Sequence, residues 1–163
     1  MKVTIYTDGA ARGNPEGPGG YGTILQYVDT QGRLHEKELS HGYIKTTNNR
    51  MELMAVIAGL EALNRPCQVE IVSDSKYVTD AFNKHWIDGW LKKNWRASSG
   101  PVKNIDLWKR LLEAAKPHQI TFTWVKGHDV GIRRMNAVTS WQHRLRTGKG
   151  LKRTLDWKLD AFG

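Results

Sequence analysis

Hydrophobic and polar residues alternate at the start of the chain, from residue 2 to residue 7, and a period of two is typical of a β-strand with one buried face. The strand is expected to end at Asp8, because a glycine-rich, turn-forming stretch runs from residue 9 to residue 20. Two more alternating stretches, 21–28 and 34–43, flank the turn sequence of residues 29–32 and predict a hairpin of antiparallel strands. The chain therefore begins with three predicted strands.

The period changes to that of an α-helix after Thr47, and either Thr47 or Asn48 is suited to cap this helix. The apolar residues that share one stripe of the helix are Leu53, Val56, Ile57, Leu60 and Leu63. Residues 69–73 and 120–125 predict two more strands, and the helical segments between them include an amphipathic helix over residues 104–115. The order β-β-β-α-β-α-α-α-β predicts an α/β fold of the α+β kind, with a five-stranded mixed sheet flanked by helices.

A chain of 163 residues has the size of one domain, which buries roughly two-thirds of the surface that its unfolded form exposes. Its single cysteine, Cys67, excludes an internal disulfide and a cysteine zinc cluster, and we expect a reduced core thiol rather than a reactive one. No apolar run reaches membrane-spanning length, and the chain opens on a strand pattern instead of a signal peptide. We therefore expect a soluble, cytoplasmic protein that makes no membrane contact.

The formal net charge of +9 favours a polyanionic partner, but the charge is unevenly distributed. Residues 1–132 carry 17 Lys and Arg against 14 Asp and Glu, a net of +3, whereas residues 133–163 carry 8 against 2, a net of +6. Most of the basicity thus lies in the C-terminal tail, and the charge of the remainder is a weak guide to function.

Three acidic residues stand at the ends of predicted elements: Asp8 after the first strand, Glu52 near the start of the first helix, and Asp74 after the fourth strand. Each has a simple local explanation, because Asp74 could cap the next helix and Glu52 could be a surface residue favoured by the helix dipole. Brought together, however, carboxylates repel one another unless a hard cation such as Mg²⁺ neutralises them. The three acids together predict a divalent metal site suited to phosphoryl chemistry.

Six groups of short motifs lie between residue 7 and residue 128. They are Thr7-Asp8-Gly9, Gly13-Asn14-Pro15 with Gly19-Gly20-Tyr21-Gly22, residues 46–55, residues 73–78, residues 101–108, and Trp124-Val125-Lys126-Gly127-His128. In order and spacing they resemble the type 1 ribonuclease H family, whose members cut the RNA strand of RNA–DNA hybrids. The resemblance covers residues 1–129 and implies a catalytic domain with the ribonuclease H-like fold over that range.

The resemblance implies that Asp8, Glu52 and Asp74 hold two Mg²⁺ ions, with Mn²⁺ as a possible substitute, and that Asp8 bridges the two. It implies an endoribonuclease, monomeric, that hydrolyses RNA by two-metal-ion catalysis to 5′-phosphate and 3′-hydroxyl products. His128 would shuttle a proton or help the product to leave, and the alternative for this residue is an ordinary surface loop histidine.

The resemblance also implies contacts to the two strands of the hybrid. Gly13, Asn14 and Asn48 would face the RNA and its 2′-hydroxyls, and Thr47 would bind a DNA phosphate at the start of the helix. Residues 84–96 interleave aromatic and cationic side chains and resemble the basic protrusion of the family. The other expected nucleic-acid contacts are Lys76, Trp86, Lys92, Lys93, Trp95 and Arg96. Trp86 and Trp90, four residues apart, equally fit packing within a helix.

The family pattern stops at residue 129. The family continues with a glycine-histidine-proline-glutamate-asparagine-like stretch and a final helix that carries a fourth catalytic aspartate, but counting from His128 places Val138 there, and valine cannot ligate Mg²⁺. Codons permitted for residues 130–142 can be reread in another frame as Gly-His-Pro-Glu-Asn-Glu-Arg-Cys-Asp-Val-Leu-Ala. We therefore hypothesise a frame change near residues 129 and 130, in preference to a divergent basic nucleic-acid-binding extension. Residues 130–163 then form a separate tail, and the final helix of the family is in question.

Loss of the fourth carboxylate predicts a chain that binds hybrids but cuts them feebly. Two other function classes stay open from the residues alone. A non-catalytic module that binds RNA–DNA hybrids would shift a labelled hybrid without cutting it. A transposase or integrase core with a related sheet would act on DNA duplexes, although residues 48–53 and the protrusion argue against it.

Overall fold

The computed structural model describes residues 1–12 and 16–126, together with the backbone of residues 151–153. One mixed sheet has the strand order β7-β4-β1-β2-β3-β8. Its strands are β1 (Lys2–Ala11), β2 (Gly17–Val28), β3 (Leu34–Thr46), β4 (Gln68–Ser73), β7 (Gln119–Trp124) and β8 (Leu151–Arg153). Strands β1, β2 and β3 are antiparallel to their neighbours in the meander, whereas β4 runs parallel to both β1 and β7. The five predicted strands and their mixed arrangement are confirmed.

The described part of the chain contains four helices, of which the first two pack on the sheet. They are α1 (Asn48–Glu61), α2 (Lys76–Asn83), α3 (Trp86–Lys92) and α4 (Ile105–Ala115). Two strands of two residues each, β5 (Arg96–Ala97) and β6 (Gly100–Pro101), form a small separate hairpin between α3 and α4. The periodicity predicted the helices but missed this hairpin, because two residues are too few to show an alternation.

Strand β8 adds a sixth member to the sheet, parallel to β3, with Gly42 opposite Leu151 and Lys45 opposite Arg153. The sequence of the tail did not predict this strand. Val138 and the rest of residues 127–150 and 154–163 lie outside the described residues.

Helix α1 lies directly on the sheet and forms the centre of the core. Leu53, Val56, Ile57 and Leu60 are all buried, as the stripe predicted. Gly59 makes the close approach possible, since a Cβ atom there would lie 2.8 Å from Ile5 Cγ2. Because α4 covers the other side of α1, the helix is buried on more than one face, which a single apolar stripe does not indicate.

Aromatic residues complete the core between α4, α2 and α3. The fully buried Trp108 ring lies 5.5 Å from Tyr77, 6.1 Å from Phe82 and 5.2 Å from Trp90, between ring centroids. Cys67 is buried, as expected for a core thiol. Among the helices that the structure describes, none combines the length and the apolar character needed to cross a membrane.

Candidate metal centre

Asp8, Glu52 and Asp74 converge at one edge of the sheet, and each offers one carboxylate oxygen that lies within 4.8 Å of those of the other two. The sheet topology explains the meeting of two of them. Strands β1 and β4 are adjacent and parallel, and their ladder ends at the pair Thr7 and Ser73, so the next residue of each, Asp8 and Asp74, lies at the same end of the two strands. Strand β1 continues past its predicted end at Asp8, because Asp8 still pairs with Gly22 of β2. Glu52 comes from the first turns of α1, which crosses that edge.

A close contact between β1 and α1 brings Glu52 into reach of Asp8. A Cβ atom on Gly9 would lie 2.5 Å from the carbonyl carbon of Met51 and 2.7 Å from the backbone nitrogen of Glu52. No side chain fits at this position without moving the helix backbone. The glycine of the Thr7-Asp8-Gly9 motif is therefore a spacing requirement of the site.

The electrostatics of the cluster disfavour three charged carboxylates. Burial, and then the charge of Asp74, raise the pKa of Asp8 from 3.8 to about 6, although a hydrogen bond from the Gly9 backbone opposes this. The pKa of Glu52 is raised well above its ordinary value by burial, by the charges of Asp74 and Asp8, and by a hydrogen bond with the Asp74 side chain. Glu52 Oε2 is buried without a hydrogen-bond partner among the described residues.

These observations fit a bound divalent cation. An unsatisfied buried carboxylate oxygen is costly, and like charges in one site repel unless something neutralises them. Carboxylate oxygens are the ligands that hard cations such as Mg²⁺ prefer. The donor set can therefore hold such a cation and, with it, a phosphate group of a substrate.

Two local interpretations of these acids are wrong. Helix α2 is capped by Ser75, whose Oγ accepts a hydrogen bond from the Val78 N–H at 3.3 Å, so Asp74 is not the N-cap. Glu52 is 9% exposed and is not a surface residue. The capping role passes to the adjacent serine, whereas Glu52 is buried by neighbours that the local sequence does not reveal.

The start of α1 is held in place by several hydrogen bonds. Thr47 is the N-cap, and its Oγ1 accepts from the Arg50 N–H at 3.2 Å. Asn48 Oδ1 accepts from the backbone N–H of Ala11, which ties the helix to the end of β1. Thr47 and Asn48 therefore lie at the same edge of the sheet as the carboxylates, where the resemblance expects the substrate.

Arg50 is a functional candidate that sequence reasoning missed. Its guanidinium binds Asp106 at 2.8 Å and 3.1 Å and Asn104 at 3.2 Å, and it holds the pKa of Asp106 below its ordinary value. Since Glu52 is two residues further along α1, this contact fixes the helix that presents it. Arg50 lies in the motif of residues 46–55, and its two partners lie in the motif of residues 101–108. The presence of both motifs was therefore the signal that could have indicated this contact.

The protrusion contains two kinds of tryptophan. Trp86 is 42% exposed, and Lys84 Nζ lies 5.9 Å above its ring. Trp90 instead packs on Trp108 and lies 6.3 Å from Trp95, so packing is the confirmed role for Trp90. Trp95 is half-buried and adopts φ 63°, a left-handed conformation that is rare for a bulky residue.

The cations expected to meet phosphates lie at the surface. Lys92, Lys93 and Arg96 are exposed around the end of α3, which is compatible with contact to a nucleic acid. Lys76 is exposed beside Asp74, and its Nζ lies 4.6 Å above the ring of Trp124. The remaining predicted site residues lie outside the described ranges: Gly13, Asn14, His128 and Val138.

Comparison with solved structures identifies the class of fold. The chain is similar to a type 1 RNase H with the type 2 active-site motif, whose crystal structure is known, with a TM-score of 0.75 and 29% sequence identity. The match covers 85% of this chain and 69% of that one. The mixed sheet, its flanking helices and the three-carboxylate edge thus belong to a ribonuclease H fold.

Sequence comparison identifies the family. The RNase H family matches residues 1–140. Ribonuclease H of Lachnoclostridium phytofermentans is 69% identical over 130 residues, which cover 79% of this chain and 82% of that protein, and ribonuclease H of Edwardsiella ictaluri is 55% identical over 128 residues, 78% and 79% of the two chains. The chain belongs to the ribonuclease H family, a family of endoribonucleases.

Proposed function

We propose that this chain hydrolyses the RNA strand of RNA–DNA hybrids at the edge of the sheet formed by Asp8, Glu52 and Asp74. The observation that carries the proposal is the convergence of three carboxylates within 4.8 Å, one of them with a buried oxygen that lacks a hydrogen-bond partner in the described part of the chain. Such a cluster costs stability in the absence of a cation, so its retention in a ribonuclease H fold points to metal-dependent chemistry.

The proposed cofactor is Mg²⁺, with two ions per site and Mn²⁺ as a substitute. Bound in such a site, the ions supply an activated water and stabilise the leaving oxygen of an in-line displacement. Asp8, which lies within the central strand β1, is the proposed bridging ligand. Glu52 and Asp74 approach it from α1 and from the turn between β4 and α2.

The proposed substrate surface joins this edge to the protrusion. Thr47 and Asn48 stand at the start of α1, and Gly13 and Asn14 belong to the preceding glycine-rich loop in the sequence. In the protrusion, Trp86 offers an exposed ring and the three cations around the end of α3 offer charge to the DNA backbone. His128 is the proposed proton carrier or product-release residue, and Trp95 and Lys76 are further proposed contacts.

The proposed weakness of the enzyme lies in its tail. Val138 stands where the family has its fourth aspartate, so the site is expected to hold its cations less tightly and to cut hybrids feebly. We attribute this to a frame change near residues 129 and 130, which makes residues 1–129 the catalytic domain and residues 130–163 a foreign tail. Sequencing of the gene would contradict this if the nucleotides cannot encode the family-like stretch in another frame.

One experiment tests the function and its alternative together. A hybrid with labelled RNA is incubated with Mg²⁺ and with this chain, with its Asp8→Asn variant, and with a version that carries the alternative-frame C-terminus. We expect slow release of 5′-phosphorylated RNA fragments by this chain, faster release by the version with the alternative C-terminus, and none by Asp8→Asn. A shifted hybrid without cleavage would favour the second candidate, a hybrid-binding module, which Val138 makes worth testing.

The proposed working form is a cytoplasmic monomer. The proposal rests on the family resemblance, and the three clustered carboxylates all come from one chain. Light scattering on the purified protein should give a mass near 18.5 kDa, whereas about twice that mass would contradict it.

A further inference from the structure

Trp124 ends the edge strand β7 and contacts the turn that carries Asp74. Its indole Nε1–H donates a hydrogen bond to the backbone carbonyl oxygen of Asp74 at 3.0 Å. The strand brings it there by register, because Trp124 is paired with Ser73, and the Val125 N–H donates to the Ser73 carbonyl at 3.0 Å. Trp124 is also 40% exposed, which is unusual for a large ring that makes a specific contact.

Asp74 stands at a position where ordinary secondary structure does little to hold it. It follows the last residue of β4 and precedes Ser75, the cap of α2, so its carbonyl lies outside both the strand ladder and the helix. Within the turn, Ser73 Oγ accepts from the Ser75 N–H at 3.0 Å. The indole of Trp124 adds a hydrogen bond that comes from another strand.

The exposed face of this indole is covered by a lysine of the same turn. Lys76 Nζ lies 4.6 Å from the centroid of the ring. A cation over an indole face is attracted to it, and this contact restricts the rotation of a ring that solvent would otherwise leave free to move. Since Lys76 is two residues after Asp74, both contacts of the ring are made to the same short segment of the chain.

We propose that Trp124 is a positioning residue for Asp74, and that Lys76 holds the indole for this task. The pair, here called the indole clasp, fixes the backbone at Asp74 so that its carboxylate meets Asp8 and Glu52. The inference rests on the proposed metal site and adds residues that act on it without binding the ion themselves. It also gives Lys76 a role that is separate from contact with nucleic acid.

The clasp predicts weaker cation binding when either member is changed. Trp124→Phe keeps an aromatic ring and loses the N–H donor, and one hydrogen bond of this kind corresponds to about a three- to tenfold loss of Mn²⁺ affinity. Lys76→Met keeps the apolar stem and loses the charge, and about a twofold loss is expected. Lys116→Met serves as the matched control, because Lys116 is an exposed helix-end lysine paired only with Glu113 among the contacts described.

Free Mn²⁺ is measured by electron paramagnetic resonance during titration of each full-length protein, and Asp8→Asn defines binding elsewhere. A second readout is the Mg²⁺ concentration that gives half-maximal cleavage of a hybrid. We expect this concentration to rise in both clasp variants, and in Trp124→Phe the KM for the hybrid at saturating Mg²⁺ should stay that of the parent chain. A thermal melt of each variant accompanies the titration.

The outcomes separate the two proposals. Parent-like Mn²⁺ affinity in Trp124→Phe overturns the clasp and leaves the metal site intact, whereas a parent chain that binds no more Mn²⁺ than Asp8→Asn overturns both. If Trp124→Phe does not fold, Lys76→Met decides: lower affinity at an unchanged melting midpoint supports the clasp, and unchanged affinity overturns it. An increase in KM alone for Lys76→Met would assign the lysine to the substrate and overturn its part in the clasp.

Discussion

Two aspartates, Asp29 in the turn after β2 and Asp8 within β1, show how differently the same side chain can be used. Asp29, in the hairpin turn, accepts hydrogen bonds from the backbone N–H groups of Gln31 and Arg33, both at 2.9 Å, and contacts His35 Nε2 at 2.8 Å. These partners hold its pKa below the ordinary value, with the bond to His35 as the largest cause. Asp8, within β1, instead has a pKa that burial and the charge of Asp74 raise to about 6.

The comparison separates an acid that serves the fold from one that serves function. The charge of Asp29 is favoured by every hydrogen bond around it, so the protein gains from keeping it ionised. The charge of Asp8 is disfavoured until a cation arrives, so the fold bears a cost that only binding removes. An acid whose surroundings work against its charge is the better indicator of a functional site.

Cleavage should distinguish the two acids most strongly. Asp8→Asn removes a proposed bridging ligand and is expected to lower the rate of hybrid cleavage by at least about a hundredfold. Asp29→Asn should leave the rate within about twofold of the parent chain, since it lies at the far end of the sheet. Rates are measured at saturating Mg²⁺ on a labelled hybrid. Equal losses of rate in both variants would contradict the separate roles assigned to the two acids.

Stability of the metal-free protein should change in the direction opposite to activity. At pH 7, Asp8→Asn removes a charge from a repulsive cluster, and we expect the free energy of unfolding to rise by on the order of 2 kcal/mol. Denaturant unfolding in the presence of a chelator measures this. A loss of stability in Asp8→Asn without metal would show that the Asp8 carboxylate supports the fold, as Asp29 does.

The pH dependence of stability should have opposite signs at the two acids. The folded pKa of Asp8 is raised from 3.8 to about 6, so the folded state binds the proton more tightly, and stability from this group falls as pH rises from about 4 to about 6. Subtracting the Asp8→Asn unfolding curve from that of the metal-free parent chain isolates the contribution. A difference that stays constant across this window would contradict the raised pKa.

The smallest effect is expected at the hairpin. The folded pKa of Asp29 is lowered, so its contribution is present above pH 3.8 and is lost as pH falls through the folded pKa. Asp29→Asn should lower the melting midpoint slightly at pH 7 and by less at pH 2, because protonation of the parent residue is further advanced there. Differential scanning calorimetry at the two pH values checks this. An equal decrease at both would show that the effect does not come from the charge of Asp29.

Periodicity was sufficient for the elements that are long. The alternation at residues 2–7 and the stripe in residues 53–60 each repeat often enough to indicate a strand and a helix, and Thr47 was one of the two caps predicted. The hairpin of β5 and β6 and the left-handed backbone of Asn94 and Trp95 have no such repeat. They depend on contacts with neighbouring segments, including the hydrogen bond from the Val102 N–H to the Trp95 carbonyl.

The amino-acid sequence by itself determined the strands, the main helices and the three acids that had to be explained, because alternation, helical stripes and residue chemistry are local properties. Only the tertiary structure decided that Glu52 is buried, that Gly9 lets α1 bring Glu52 to Asp8, and that Trp90 packs while Trp86 stays exposed. The physical reason is that burial and charge repulsion depend on neighbours distant in sequence. Strand register and helix packing select those neighbours, and a local pattern cannot.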